Sequence, residues 1–511
     1  MVSRSRRALE SAMVFVPDEV FAKVEMSALL YSAALQAFVV LAVKAPVSVA
    51  IVCALFPVQL APFVYLHARS VRRRRRVEAE LPFASMVISV LSHVAQPNLP
   101  DAFARLGELG DEVFPGFSDE ERSLRRNLAY GKMAETVTLE RSFASHPSDL
   151  LREFVRGYMV ALRSGGNVRL FVESESERLA ELMEARWRAF STNLGSMTEV
   201  AFILLAVFPL GMEMIAGAFE RSEAGTLLVI SALMLALVAA GLILWMDSAQ
   251  PCLHDAKYPL GRLALGAALL ASLLVLYALG IFDAFVAASL ALAVSAAYVA
   301  SSRRFFGNLR LGERETYSML HFLAEQARAG ASLPEAVGRL QEESGGYPSL
   351  KDQIVGFSRM VSLGTSPHEA ARRVAHPSWL VRVSFAVLAV SFETGAGYGQ
   401  LERLSNSFKN IYDARSSTRS SVLPFALLGA SVPVISVASY TFLRGMQVFD
   451  SLLPGFSTGG GTWTVSFSIL LSSLLTGAMV SKAYSLSVRS MEGLPPILLS
   501  AAASFLIFGI L

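Results

Sequence analysis

Apolar residues along this chain gather into long blocks separated by two polar stretches. Residues 27–66 carry a single charge, Lys44, beside Pro46, and residues 258–302 carry only Arg262 and Asp283. A helix needs about 20 apolar residues to cross a bilayer core, so each block holds two spans. The pattern predicts helical hairpins at 27–66, 196–246, 258–302 and 421–481, with tips at Lys44-Ala45-Pro46, Glu220 to Glu223, Gly280 to Asp283 and Arg444 to Thr462. Residues 493–511 carry no charge and make a ninth transmembrane helix. Residues 1–26 read as a short helix at the interface; the apolar run there ends at Pro17-Asp18-Glu19, which argues against a cleavable signal peptide.

The polar stretches, 67–195 and 303–420, show helical rather than strand periodicity. Leu81, Met86, Val90 and Val94 recur at helical spacing in the first, as do Met319, Leu320 and Leu323 in the second. Ser332-Leu-Pro-Glu335 has the form of a capping box, with Pro334 tolerated in a first turn whose amides lack intrahelical partners. Asn98-Leu-Pro-Asp101, containing Pro100, keeps that form, and Ser118-x-x-Glu121 and Ser366-x-x-Glu369 are further helix starts. Each stretch is expected to form a bundle of about six helices.

These stretches echo one another. Leu99-Pro-Asp-Ala matches Leu333-Pro-Glu-Ala at an offset of 234, and Ser145-His146-Pro147-Ser148 matches Ala375-His376-Pro377-Ser378 at 230. The same shift carries the hairpin at 27–66 onto 258–297 and that at 196–246 onto 426–476. The expected fold is therefore an all-α polytopic membrane protein with two homologous helical-bundle domains, an internal duplication. Each copy has an even number of spans, so the repeat is parallel, with its pseudo-axis along the membrane normal.

Composition agrees: of 511 residues 53% are hydrophobic and 17% charged, against about 25% charged in soluble domains. Basic residues orient the chain. Arg4, Arg6, Arg7 and Lys23 put the N-terminus in the cytoplasm; Arg69, Arg72 to Arg76, Lys257, Arg303, Arg304, Lys482 and Arg489 fall on that same side, and only Lys44, Arg221 and Arg444 on the other. Nine spans then place the C-terminus outside a multi-pass protein of the cell membrane. Cys53 and Cys252 make no disulfide framework.

Few residues suggest chemistry. The run Arg72-Arg73-Arg74-Arg75-Arg76 fixes orientation, attracts lipid headgroups at about 1 kcal/mol per basic residue, or forms a docking patch for an acidic partner. Without aromatic interleaving, and with acidic residues nearby, it does not read as a nucleic-acid surface. His146 and His376 have no metal-ligand spacing and fit a helix-start motif, with Pro147 and Pro377 in the first turn. Phosphate loops and dinucleotide-binding glycines are missing, so neither catalysis nor a cofactor nor a metal is expected. Glu393-Thr-Gly395 reads as a helix end and tight turn, and Arg163-Ser-Gly165-Gly166 keeps the glycines without the glutamate. Pro57, Pro62, Pro209, Pro424 and Pro433 interrupt apolar segments, as in transporters built from parallel repeats. A transporter is the alternative reading, and a receptor or scaffold a third.

The duplicated helical domain, Leu-Pro-x-Ala in each copy, and Glu393-Thr-Gly395 before Leu401 together resemble the F-domain family of type II secretion systems. The last element is similar to the family's Gly-Glu-x-x-Gly-x-Leu pattern, with Phe392 in place of the first glycine and wider spacing afterwards. The nine-span layout resembles the family's archaeal branch, the assembly platforms of type IV pili and archaella. The resemblance implies a non-enzymatic platform that docks a cytoplasmic hexameric secretion ATPase and couples it to insertion of pilin or archaellin subunits. It also implies a homodimer. On that reading Arg72 to Arg76, Arg303, Arg304 and Arg310 bear on the ATPase or on lipid.

Overall fold

A computed structural model describes residues 45–93, 98–130, 134–204, 211, 221–251, 254–256, 258–395, 398–446 and 462–508. The expected segment 1–26, the first half of hairpin 27–66, Pro209, Cys252 and the tip at 447–461 lie outside them. The described residues form sixteen α-helices and two short 3-10 turns. They are α1 (Ala45–Leu91), α2 (Leu99–Glu108), α3 (Pro115–Tyr130), α4 (Glu135–Ala144), α5 (Asp149–Arg163), α6 (Val168–Phe202), α7 (Arg221–Ala249), α8 (Leu260–Ala278), α9 (Ala284–Arg328), α10 (Leu333–Glu342), α11 (Lys351–Ser362), α12 (Pro367–Arg372), α13 (Trp379–Thr394), α14 (Tyr398–Met446), α15 (Thr462–Ser485) and α16 (Leu494–Phe508).

Domain 1 consists of the second half of α1, helices α2 to α5 and the first half of α6. Domain 2 is the corresponding set from α9 to α14. The compositional edges near 67, 303 and 420 fall inside α1, α9 and α14, and the edge near 195 falls inside α6. At 1.5 Å per residue, the 47 residues of α1 reach about 70 Å, far more than a bilayer core. Among the described residues three helices are long and apolar enough to cross a membrane, at Ala284–Arg328, Tyr398–Ser439 and Ser466–Ser485, and shorter apolar helices lie at Met234–Ala249, Gly261–Tyr277 and Leu494–Ile507. Pro57 and Pro62 lie inside α1, and Pro424 and Pro433 inside α14, without breaking either helix into the half-helices of a transport site.

One hydrophobic core runs through both domains. Phe103 packs edge-on against Phe117 and Phe143 in domain 1, and Phe357 against Phe385 in domain 2. Phe83 of α1 joins them, with ring centroids 5.0 Å from Trp379 and 5.4 Å from Phe408. Helices α6 and α14 pack against one another, and there Ser191 Oγ meets Ser421 Oγ at 3.3 Å, 230 positions away. Among the apolar helices, Ala284, Ala287 and Ala288 of α9 are buried in a cluster with Val437, Ile469 and Phe505; small side chains let backbones approach where lipid supplies no hydrophobic drive.

Several local expectations change. Ser332 and Glu335 form the capping box, Glu335 accepting from the Ser332 amide at 3.0 Å. Asn98 instead donates from its side chain to Asp101, so the start of α2 has no box. Ser118 starts no helix: α3 begins three residues earlier at Pro115, and the Ser118 hydroxyl donates to Asp111. Ser366 does cap α12, accepting from the Glu369 amide at 3.3 Å. Pro147 and Pro377 lie outside their helices, whose N-caps are Ser148 and Ser378. The tip at 280–283 forms as expected, with Gly280 at φ +73° between α8 and α9.

Candidate functional site at the junction of the two domains

Two glutamates at i and i+2 organise each domain. On a helix such residues point about 200° apart, so each pair reaches two different neighbours. In α1, Glu80 accepts from the amides of Gly116 and Phe117 at 2.7 and 2.8 Å, satisfying donors in the first turn of α3. In α9, Glu315 accepts from the amides of Ser349 and Leu350 at 2.9 and 3.0 Å, at the start of α11. The outer members take hydroxyls: Ser148 Oγ donates to Glu78 at 3.2 Å and Ser378 Oγ to Glu313 at 3.4 Å. The backbone N–H of each of these serines donates to Nδ1 of the preceding histidine, His146 at 3.0 Å and His376 at 3.1 Å. The two halves thus repeat one hydrogen-bonded unit, and the matching glutamates are offset by 235. The Glu-x-Glu echo is present in the sequence but gave no signal of its own, because its partners lie 36 to 70 positions away.

Charge fills the rest of each unit. Arg73 binds Glu120 through two hydrogen bonds of 2.7 Å, and His146 Nε2 lies 3.1 Å from the same carboxylate. Burial pushes the Glu120 carboxyl up, but Arg73 and His146 outweigh it and hold the group below the usual range. Glu78 takes Arg74 at 2.8 Å and Arg186 at 3.0 Å. In domain 2, Arg415 is buried between Glu313 and Asp255, the latter at 2.7 Å. Burial, followed by Arg382 and against the opposing pull of Asp255, lowers His376 to about 4.

The short connection between α7 and α8 ties the two units together. His254 Nε2 lies 2.7 Å from Glu80, and burial raises the Glu80 carboxyl despite that neighbour and the two amides. Asp255 accepts from the Trp379 amide at 2.9 Å as well as from Arg415. Ala256 N–H donates to Pro377 O at 2.8 Å. Arg382 donates to the carbonyls of His254 and Glu112 at 2.6 and 2.9 Å, and Trp379 Nε1 to Val113 O at 2.6 Å.

The residues singled out in the sequence are distributed unevenly. The arginine run is split: Arg73 and Arg74 are turned onto Glu120 and Glu78, Arg76 lies 3.9 Å from Asp119, and Arg72 and Arg75 are exposed. Arg303 and Arg304 are exposed on α9, whereas Arg310 pairs with Glu492 at 2.5 Å. Pro100 and Pro334 occupy the second positions of α2 and α10. Glu393 lies 3.4 Å from His368, which also lies 3.9 Å from Glu108 of domain 1. Gly395 ends α13 at φ +66°, and Gly165 follows α5 at the same angle, so both helices end in a left-handed glycine turn although only α13 carries the glutamate. Among the described residues no group of three or more His, Cys, Asp or Glu side chains is placed to hold a metal ion.

Residues 84–216, which begin within α1 and take in α2 to α6, match the family model of type II secretion system protein F. No curated protein and no solved structure matches the chain. The similarity to type II secretion system protein F is thus carried by residues 84–216, the segment that builds most of domain 1.

Proposed function

We propose that the chain is the membrane platform of a type IV filament machine, an archaeal pilus or archaellum, built from two copies of the protein F bundle. The observation that carries this reading is the family match over domain 1. The repeated Glu-x-Glu, His and Ser unit of domain 2 supports extending it to the second half. So does the Ser191–Ser421 contact, since residues one repeat apart touch only near a pseudo-symmetry axis. On this reading the chain has nine spans, both domains and the N-terminus face the cytoplasm, and Leu511 lies outside. The platform works as a homodimer, docks a hexameric secretion ATPase and passes its motion to pilin or archaellin subunits.

Docking falls to basic groups free of internal duties. Arg73, Arg74, Arg76 and Arg310 face carboxylates of this chain, which leaves Arg72, Arg75, Arg303 and Arg304 on exposed faces of α1 and α9, and of these Arg72, Arg303 and Arg304 are tested together. The triple variant Arg72→Glu, Arg303→Glu, Arg304→Glu should lose co-purification with the cognate ATPase and abolish filaments while melting like the wild type. Undiminished ATPase capture and filament formation would refute this docking surface. Solute flux in proteoliposomes of the purified chain would favour the transporter instead.

A further inference from the structure

A cleft of about 310 Å³ opens between α1, α6 and the end of α7. Its lining is mixed: Met183 and Phe190 are apolar, while Arg75, Arg186, Asn193 and Gln250 are charged or polar. The position is as telling as the lining. The apolar run of α1 ends at Leu66, so Arg75 sits about 13 Å further along the helix axis. The Gln250 end of the cleft directly follows the apolar run of α7. The cleft therefore lies at the membrane border on the side of the polar domains, where a long arginine side chain can reach up to the headgroup layer.

The charge there is not internally balanced. Glu78 lies in the lining but already holds Arg74 and Arg186. Gln250 accepts from Lys482 Nζ at 3.0 Å, which leaves its amide N–H groups as donors. Among the described residues Arg75 has no carboxylate partner, although Arg73, Arg74 and Arg76 each have one.

The second half supplies the comparison. By the matching bonds of Glu78 with Glu80 and of Glu313 with Glu315, the counterpart of Arg75 is Arg310. That arginine carries a built-in anion: Glu492, on the segment between α15 and α16, lies 2.5 Å from its guanidinium. The segment also contains two non-glycine residues with positive φ. Leu486 and Met491 in it adopt left-handed φ of +60° and +50°, a conformation that L side chains disfavour. In the first half the described part of the corresponding connection sends His254 to Glu80 and Asp255 to Arg415, and among the described residues no carboxylate reaches Arg75.

We infer that this cleft binds the phosphate group of an anionic phospholipid, with Arg75 as its principal cation, Arg186, Asn193 and Gln250 as further donors, and Met183 and Phe190 against the glycerol and upper acyl carbons. The lipid phosphate occupies the place that the Glu492 carboxylate fills in the other half. The inference needs only the membrane location and is independent of the filament reading.

The test is native mass spectrometry of the full chain in detergent, titrated with phosphatidylglycerol or phosphatidylcholine. The wild type should retain phosphatidylglycerol in preference to phosphatidylcholine. Arg75→Ala should weaken that binding about fivefold, and Arg72→Ala should leave it unchanged. Asn193→Glu, which installs a carboxylate as in the second half, should compete the lipid away; should that variant not fold, the two arginine variants decide. Equal losses in Arg72→Ala and Arg75→Ala, or equal retention of the two lipids, would overturn the site in favour of diffuse surface attraction. Inorganic phosphate that displaces phosphatidylglycerol and binds alone with the same dependence on Arg75 would overturn the lipid assignment in favour of a free anion.

Discussion

His146 and His376 occupy the same place in the chain's repeating pattern and bond the same way to the serine two positions on, yet their other sides differ. His146 faces a carboxylate. His376 faces Arg382 and Ser349, and sits directly on Gly312, where a Cβ would overlap its ring. Being buried, it stays neutral well below the ordinary value of 6.5, down to about 4. Within that window the unfolded chain binds a proton that the folded chain does not, so stability falls as pH drops from 6.5 towards 4. The full loss is about 3 kcal/mol. Melting curves of the solubilised protein should show this acid slope, and His376→Asn, whose side-chain oxygen can accept from the Ser378 amide in place of Nδ1, should remove it. Sequence alone picks out this histidine pair through the echo around it. Its neighbours are invisible there, because Glu120 is 26 positions from His146 and Ser349 is 27 from His376.

At the level of elements, periodicity and end signals located the helices better than composition located their boundaries. The Leu-Pro starts of α2 and α10, and the glycine turns after α5 and α13, are local chemistry and were legible. That α1, α6, α9 and α14 run unbroken from apolar to polar surroundings was not, because nothing in a helix requires it to stop where its environment changes. The turn glycines give a direct test. A Cβ at Gly395 or Gly165 meets nothing within 4 Å, and both have φ +66°, so the cost of alanine is the backbone alone. Gly395→Ala and Gly165→Ala should each destabilise by about 1–2 kcal/mol in denaturant titrations. Gly338, equally open but inside α10, should respond with the opposite sign, Gly338→Ala stabilising by about 0.5–1 kcal/mol.

The whole molecule is held by contacts that join distant parts of the chain. The connection between α7 and α8 reads in sequence as a plain turn between two spans; His254 and Asp255 acquire meaning only when folding brings Glu80, Trp379 and Arg415 around them. Trp379 concentrates this role, since it is buried, packs on Phe83 and His254, and bonds to Val113. Trp379→Ala should cost about 3–5 kcal/mol, read as a lowered melting temperature. Trp379→Phe should keep much of the packing and lose about 1 kcal/mol with the Val113 bond. Equal melting of both variants and the wild type would show that the domains do not depend on this anchor.

The same anchor sets the order of events at the ribosome. Val113 and Trp379 are 266 positions apart, and chains grow at about 5–20 residues per second. Domain 1 therefore waits tens of seconds after its own synthesis before the tryptophan that seals its inner face exists. During that interval Phe83 and the carbonyl of Val113 lack their partner, and the nascent first half presents an unfinished surface to insertion factors and chaperones. A chain truncated before α13 should accordingly be a holdase client or an aggregate rather than a smaller version of the protein.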